Sequence, residues 1–205
     1  MEKTFLHVGC GNAKKKDTTA VFAGPEWKEL RFDIDPAVKP DFIGSMTDMH
    51  AVASASMDAL YSSHNIEHLY PHEVPVALGE FSRVLKPEGF AVITCPDLQS
   101  VAALVAEDKL TETAYLSSSG PIAPMDILFG HRASLAAGNL FMAHRCGFTE
   151  KVLKATLLQN GFVSTATMKV GTPIFALWAV ATKSPMDEAQ IVHLARRHFP
   201  DYSSK

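Results

Sequence analysis

Short apolar runs alternate with helix-length amphipathic stretches along the first hundred residues, the pattern of an α/β sheet fold. Thr4 to Val8 predicts a buried first strand, Glu29 to Ile34 a second, Asp41 to Gly44 a short third and Met57 to Ser62 a fourth. Phe90 to Thr94 predicts a fifth, entered through the turn Lys86-Pro87-Glu88-Gly89. Between the fourth and fifth, residues His72 to Leu85 predict a helix. Val74, Ala77, Leu78, Phe81, Val84 and Leu85 share one face of it. Asp97 predicts the cap of a further helix, with Leu98, Val101, Ala102 and Val105 inward. Thr149 predicts the cap of another, which ends at Asn160-Gly161. Phe162 to Val170 and Ile174 to Thr182 are strand-like, with only Gly171-Thr172-Pro173 between them. They predict an antiparallel hairpin. A last helix, over 185–200, presents Ile191, Leu194, Ala195 and Phe199. Residues 111–147 carry no sustained period, yet hold Phe129, Leu140, Phe141 and Met142.

Composition narrows the class. With 205 residues, 47% of them hydrophobic and 20% charged, the chain predicts a single domain with a sizeable core. A net charge of -3 argues against a dedicated nucleic-acid partner. Cys10, Cys95 and Cys146 are odd in number and lack C-x-x-C spacing, which fits a reducing, cytoplasmic setting. No apolar run is long enough to cross a membrane, and the run at Thr4 is too short for a signal peptide. Lys14-Lys15-Lys16 reads as a solvated run, and Arg196-Arg197 as the polar face of the last helix.

The chemistry begins at the first strand's exit, where Gly9-Cys10-Gly11 permits a tight turn and close approach of a ligand to the backbone. Asp33 follows at the end of the second strand, placed to accept hydrogen bonds from ribose hydroxyls. Together they favour an adenosine-type ligand. A pyrophosphate cradle would want a third glycine, but Asn12-Ala13-Lys14 follows instead, which favours a ligand without phosphate.

Three stretches carry a family resemblance: Gly44-Ser45-Met46-Thr47-Asp48-Met49, then Asp58 through Leu69, then Glu80-Phe81-Ser82-Arg83-Val84-Leu85-Lys86-Pro87-Glu88-Gly89-Phe90. With the glycine turn they resemble the class I S-adenosylmethionine-dependent methyltransferases, in the small-molecule branch of the type 11 kind. The resemblance implies a Rossmann-like seven-stranded sheet in the order 3-2-1-4-5-7-6, strand 7 antiparallel, flanked by helices. It implies S-adenosyl-L-methionine over the ends of strands 1, 2 and 4. By position, Gly9, Cys10 and Gly11 line its amino-acid part and Asp33 its ribose. Ile34 packs on the adenine, Ser45 and Met46 flank its edge, and His64 closes the site. The family usually has an acid where His7 stands and an Asp where Ser45 stands.

Residues 111–147 are expected to insert after strand 5 as a lid over an acceptor pocket. The alternatives are a surface loop or a contact in a homodimer. Their His131, Arg132, His144 and Arg145 suit an anionic acceptor or a proton transfer. His68 and His144 are the candidate catalytic bases. His64-Asn65-Ile66-Glu67-His68 also spells H-x-x-E-H, but a zinc protease needs both histidines on one long helix, and Pro71 and Pro75 interrupt it. No metal is expected. The function expected is methyl transfer to a small-molecule acceptor, through a hydroxyl or carboxyl of a metabolite or saccharide. Two alternatives stand beside it: a non-catalytic S-adenosylmethionine-binding module, and a nicotinamide-dependent oxidoreductase.

Overall fold

The computed structural model describes residues 2–117, 119–172 and 174–200. Pro173, one of the residues expected to separate the last two strands, lies outside them. The strands of the main sheet are β1 (Lys3–Val8), β2 (Trp27–Asp33), β3 (Phe42–Ile43), β4 (Met57–Ser63), β5 (Leu85–Pro96), β8 (Ser164–Val170) and β9 (Ala176–Thr182). A separate pair, β6 (Tyr115–Ser117) and β7 (Gly120–Ile122), lies within the expected insertion. The helices are α1 (Val74–Val84), α2 (Leu98–Ala106), α3 (Pro124–Phe129), α4 (Arg132–Ala136), α5 (Glu150–Gln159) and α6 (Glu188–His198).

The sheet order is β3-β2-β1-β4-β5-β9-β8. Counting only its own strands, this is 3-2-1-4-5-7-6. β1 to β5 pair in parallel, and β9 is antiparallel to both β5 and β8, as expected. The period of two along each strand divides the core between two faces. Phe5, Ala59, Tyr61, Val92 and Val180 point to the face that α6 covers with Ile191 and Ala195. Leu6, Val8, Leu60, Ile93 and Leu177 point to the face that α1 and α5 cover.

Helix α1 buries Val74, Ala77, Leu78, Phe81 and Val84, the predicted stripe, but is shorter than predicted. Pro75 fixes its first turn, where a missing N–H costs nothing. Leu85 leaves the helix to pair with Met57 of β4, and Lys86 to Gly89 bulge out before Phe90 rejoins the ladder opposite Ala59. Asp97 caps α2 through its Gln99 N–H, and Thr149 caps α5 through that of Val152. Gly161 follows α5 at φ +96°, a conformation that suits a residue without Cβ.

Two expectations fail. Ala102 and Val105 are exposed, and α2 instead turns Val101 and Leu104 inward. The reason is tertiary: Ile122, Ile127 and Phe175 form a satellite core on that side. Lys15 is not simply solvated, because its ammonium donates to the carbonyls of Gly24 (3.0 Å) and Trp27 (2.8 Å). Arg196 and Arg197 are exposed, as read. Among the described residues, no helix is long and apolar enough to cross a membrane.

Candidate active site

The carboxyl ends of β1, β2 and β4 meet where the strand order reverses, the usual ligand crevice of an open α/β sheet. Gly9 and Gly11 both take left-handed backbone, at φ +63° and +50°. A Cβ on Gly9 would collide with the Asn65 side chain, whereas Gly11 faces open space. The Asn65 amide donates to the Val8 carbonyl (3.1 Å), the Ser63 carbonyl (2.9 Å) and the Ser62 hydroxyl (3.3 Å). It thereby ties the exits of β1 and β4 together, a role that the sequence reading had not assigned.

Asp33 is 9% exposed and already ordered. Its Oδ2 accepts from the Gly11 N–H at 2.7 Å and its Oδ1 from the Asp35 N–H at 2.9 Å. Each oxygen keeps a further lone pair, so the carboxylate holds the glycine turn and can still accept from a diol. Arg31, also unassigned from sequence, is buried and donates to the carbonyls of Gly11, Val38 and Lys39. Its position between Leu30 and Phe32, near the end of β2, was the one available signal.

Where the resembled family usually has an acid, His7 is buried with its Nδ1 2.7 Å from Glu29 Oε1. Burial lowers the pKa of His7, and the Glu29 contact only partly opposes this. Glu29 Oε2 accepts from the Lys15 N–H. The neighbouring strand thus supplies a carboxylate behind the glycine turn. Cys10 is buried and its thiol is pushed up to about 11 by burial, so it stays protonated.

Beyond Asp33, Ile34 is 46% exposed, and Ile43 stands exposed on the next strand, paired with Asp33. They offer an apolar platform for a purine. The Ser45 hydroxyl lies 2.7 Å from that of Thr47, and Met46 packs on the core. His64 takes left-handed backbone at φ +55°, uncommon for a residue with a Cβ. These features suit a nucleoside bearing an amino-acid tail: apolar flank, diol-accepting carboxylate and open glycine. The predicted cofactor residues lie at or just beyond the carboxyl ends of β1, β2, β3 and β4.

The two candidate bases come together although 111–147 lies far along the chain. Ile66–His68 is a single helical turn, not part of a long helix. The returning chain crosses it, with the Arg145 N–H (2.8 Å) and the Cys146 N–H (3.2 Å) both donating to the Glu67 carbonyl. The His68 and His144 rings stand edge to face, with centroids 4.8 Å apart. His68 Nδ1 is 3.1 Å from the Ala143 carbonyl and His144 Nδ1 2.7 Å from the Ile127 carbonyl. A carbonyl only accepts, so Nδ1 carries a proton in both rings, and in the neutral tautomer Nε2 is the basic nitrogen.

Beneath them Glu67 is 1% exposed, and among the described residues neither carboxylate oxygen has a hydrogen-bond partner. The nearest basic group is the His64 ring, whose Nδ1 lies 3.5 Å from Glu67 Oε1. Burial raises the Glu67 carboxyl, but His64, His68 and His144 outweigh it and leave it below the usual range. Burial lowers the pKa of His144. Glu67, Pro96, His144 and Cys146 help to line a cavity of ≈ 10 Å³.

Other expected acceptor groups are committed elsewhere. Arg132 grips Asp126 with two bonds, Nε to Oδ1 at 2.8 Å and Nη2 to Oδ2 at 3.0 Å, and holds that carboxyl well below its usual range. His131 Nδ1 lies 2.8 Å from the Ser134 hydroxyl. Arg145 donates to the His68 carbonyl and lies over the Tyr70 ring.

Comparison with known proteins agrees with this geometry. Residues 6–93 match the family model described as a methyltransferase domain. No curated protein matches the chain. Among solved structures, a Pyrococcus horikoshii OT3 protein is 14% identical with a TM-score of 0.62, over 90% of this chain and 83% of that one. A Burkholderia thailandensis 1,6-didemethyltoxoflavin-N1-methyltransferase, solved with 1,6-didemethyltoxoflavin and S-adenosylhomocysteine, is 15% identical. Its TM-score is 0.58, over 90% and 72% of the two chains. A Thermotoga maritima protein described as a possible histamine N-methyltransferase is 14% identical with a TM-score of 0.57, over 90% and 83%. At these identities the likeness is one of fold. Residues 6–93 thus match a methyltransferase domain, and the chain shares the fold of these structures.

Proposed function

We propose that the chain methylates an oxygen of a small-molecule acceptor, a hydroxyl or carboxylate, bound between the 64–68 turn and residues 111–147. In this reading 1–205 is one catalytic domain acting in the cytoplasm, and 111–147 is its lid. The observation that carries it is the pair His68 and His144. One comes from the end of β4 and one from the insertion, each with its protonated nitrogen fixed on a main-chain carbonyl and its basic nitrogen free.

S-adenosylmethionine supplies an already activated methyl group, so the chain's task is alignment and exclusion of water. Gly9, Cys10 and Gly11 line the amino-acid part through their backbone, and Asp33 accepts from the ribose. Ile34 lies on the adenine, with Ser45 and Met46 at its edge, and His64 closes the site. The free Nε2 of His68 or His144 accepts the proton of an acceptor hydroxyl; a carboxylate acceptor needs no base. Exposed Phe129, Leu140 and Phe141 give the insertion an apolar surface to lay over an acceptor.

Isothermal titration with S-adenosylmethionine and S-adenosylhomocysteine tests the cofactor. Asp33→Ala should weaken binding at least about tenfold, since a charge-assisted hydrogen bond contributes about 1.5–3 kcal/mol. Binding of NAD with neither ligand bound would refute the reading. Given an acceptor, His144→Ala should lower methyl transfer with little change in cofactor affinity.

A further inference from the structure

We propose that Glu67, His68 and His144 form a binding site for one divalent first-row transition ion, with Zn²⁺ the best match. One ligand atom from each residue lies within 4.8 Å of the other two. Zinc takes nitrogen and carboxylate ligands at about 2.0–2.2 Å, which sets tetrahedral donors roughly 3.3 Å apart. Small rotations of the two imidazoles and the carboxylate close that difference.

Two independent features point to an ion. First, histidine ligands of metals commonly donate their other ring nitrogen to a carbonyl or carboxylate, which fixes tautomer and orientation. Both rings here do so, on Ala143 and Ile127, which in the neutral imidazole leaves Nε2 as the ligand atom. Second, Glu67 is fully enclosed with both oxygens unpartnered. A buried carboxylate in that state calls for a cation. The half-exposed His64 ring, 3.5 Å away, is within ion-pair reach only when protonated and makes no hydrogen bond of good geometry to it.

Three protein ligands leave one tetrahedral position, the arrangement of catalytic rather than structural zinc sites. The adjoining cavity of ≈ 10 Å³ is about the size of one water. Glu67 and His68 come from the H-x-x-E-H stretch, but His64 is not in the group, and the second histidine comes from the insertion. The further consequence rests on the methyltransferase reading. An acceptor oxygen that displaces the fourth ligand would be held by the ion, which suits an acceptor carrying a hydroxyl or a carboxylate. In that state the histidines hold the ion and do not themselves accept the proton.

The test uses the whole chain, stripped with a chelator and titrated with ZnCl₂ against a chromophoric competitor. Co²⁺ titration runs in parallel, read by its visible d–d bands. The expected result is one tight site per chain and a four-coordinate Co²⁺ spectrum. His68→Ala and His144→Ala should each lose more than about a hundredfold in affinity, beyond the 10–100-fold typical of groups behind the ligands. Glu67→Gln, which keeps the side chain's shape, should weaken binding and change the Co²⁺ bands. Circular dichroism checks each fold, and the wild-type spectrum alone suffices if a variant unfolds. Failure of the folded wild type to bind either ion, or undiminished binding by both histidine variants, overturns the site. S-adenosylmethionine titration on the same sample separates the two readings. Cofactor binding without zinc overturns only the metal site, whereas zinc binding without the cofactor supports the site and removes the methyl-transfer reading.

Discussion

Gly9→Ala tests whether the glycine turn and the β4 exit form one unit. The alanine meets two penalties. Its backbone must remain at φ +63°, where a Cβ costs about 1–2 kcal/mol. Its Cβ also falls on the Asn65 amide, which must move. That amide has two N–H groups shared among the Val8 carbonyl, the Ser63 carbonyl and the Ser62 hydroxyl. Losing two hydrogen bonds costs about 1–3 kcal/mol. Gly9→Ala should therefore destabilise by about 2–5 kcal/mol. Asn65→Ala alone should cost about 1–3 kcal/mol, because it removes the same bonds without backbone strain.

The double variant separates the two terms. With Asn65 already cut back, the new Cβ meets no amide, and only the backbone strain is added. The pair should then cost about as much as Gly9→Ala alone, well short of the sum of the singles, with a coupling of about 1–3 kcal/mol. Urea denaturation of the four proteins measures it, and S-adenosylmethionine titration on each reports the turn's condition. Additivity within about 0.5 kcal/mol would refute the reasoning, since independent sites behave that way. So would a Gly9→Ala variant as stable as the wild type.

His198 packs between Phe22 and Phe90, takes a 3.0 Å contact from Thr19 and has its pKa lowered to about 4 by burial. Its folded pKa lies below the ordinary 6.5, so stability is full above pH 6.5 and falls towards pH 4, by about 3 kcal/mol; His198→Gln should flatten that part of the stability–pH curve in urea melts. Asp126→Asn should free Arg132 and loosen the insertion, speeding limited proteolysis within 111–147 roughly tenfold, as loss of a capping carboxylate worth about 1–2 kcal/mol would. In the wild type, S-adenosylmethionine with an acceptor should slow the same cleavage, and equal rates with and without them would assign the segment to another contact.

The main sheet was legible because each of its elements repeats its burial period often enough to be read. Phe5 against Leu6, and Tyr61 against Leu60, divide the two faces of the sheet by simple alternation. Helix α1 shows its stripe over three turns. The end of α1 was misread because Leu85 satisfies two rules at once: it continues the helical stripe and it suits the ladder beside Met57. The insertion was opaque for the opposite reason. Its elements span three to six residues, as in Tyr115–Ser117 and Pro124–Phe129, too few to complete a period of either kind. Its packing on Val101 then decided the face of α2, which local pattern alone left open between two adjacent stripes.

The site divides along a similar line. Asp33 and the two glycines could be singled out because binding an adenosine-type ligand asks for those residue types at strand ends, whatever packs around them. His68 and His144 stood out singly, as titratable groups without another evident role. Their meeting could not be read, because it is made by main-chain bonds: Arg145 and Cys146 donate to the Glu67 carbonyl, and Ala143 and Ile127 accept from the rings. Any residue offers those groups, so they leave no signature in the side chains. Glu67 shows the same limit from the other direction. In sequence it is an acid in a polar turn, where solvent would satisfy it. In the fold the returning chain crosses it, and it is buried with no hydrogen-bond partner for either oxygen among the described residues.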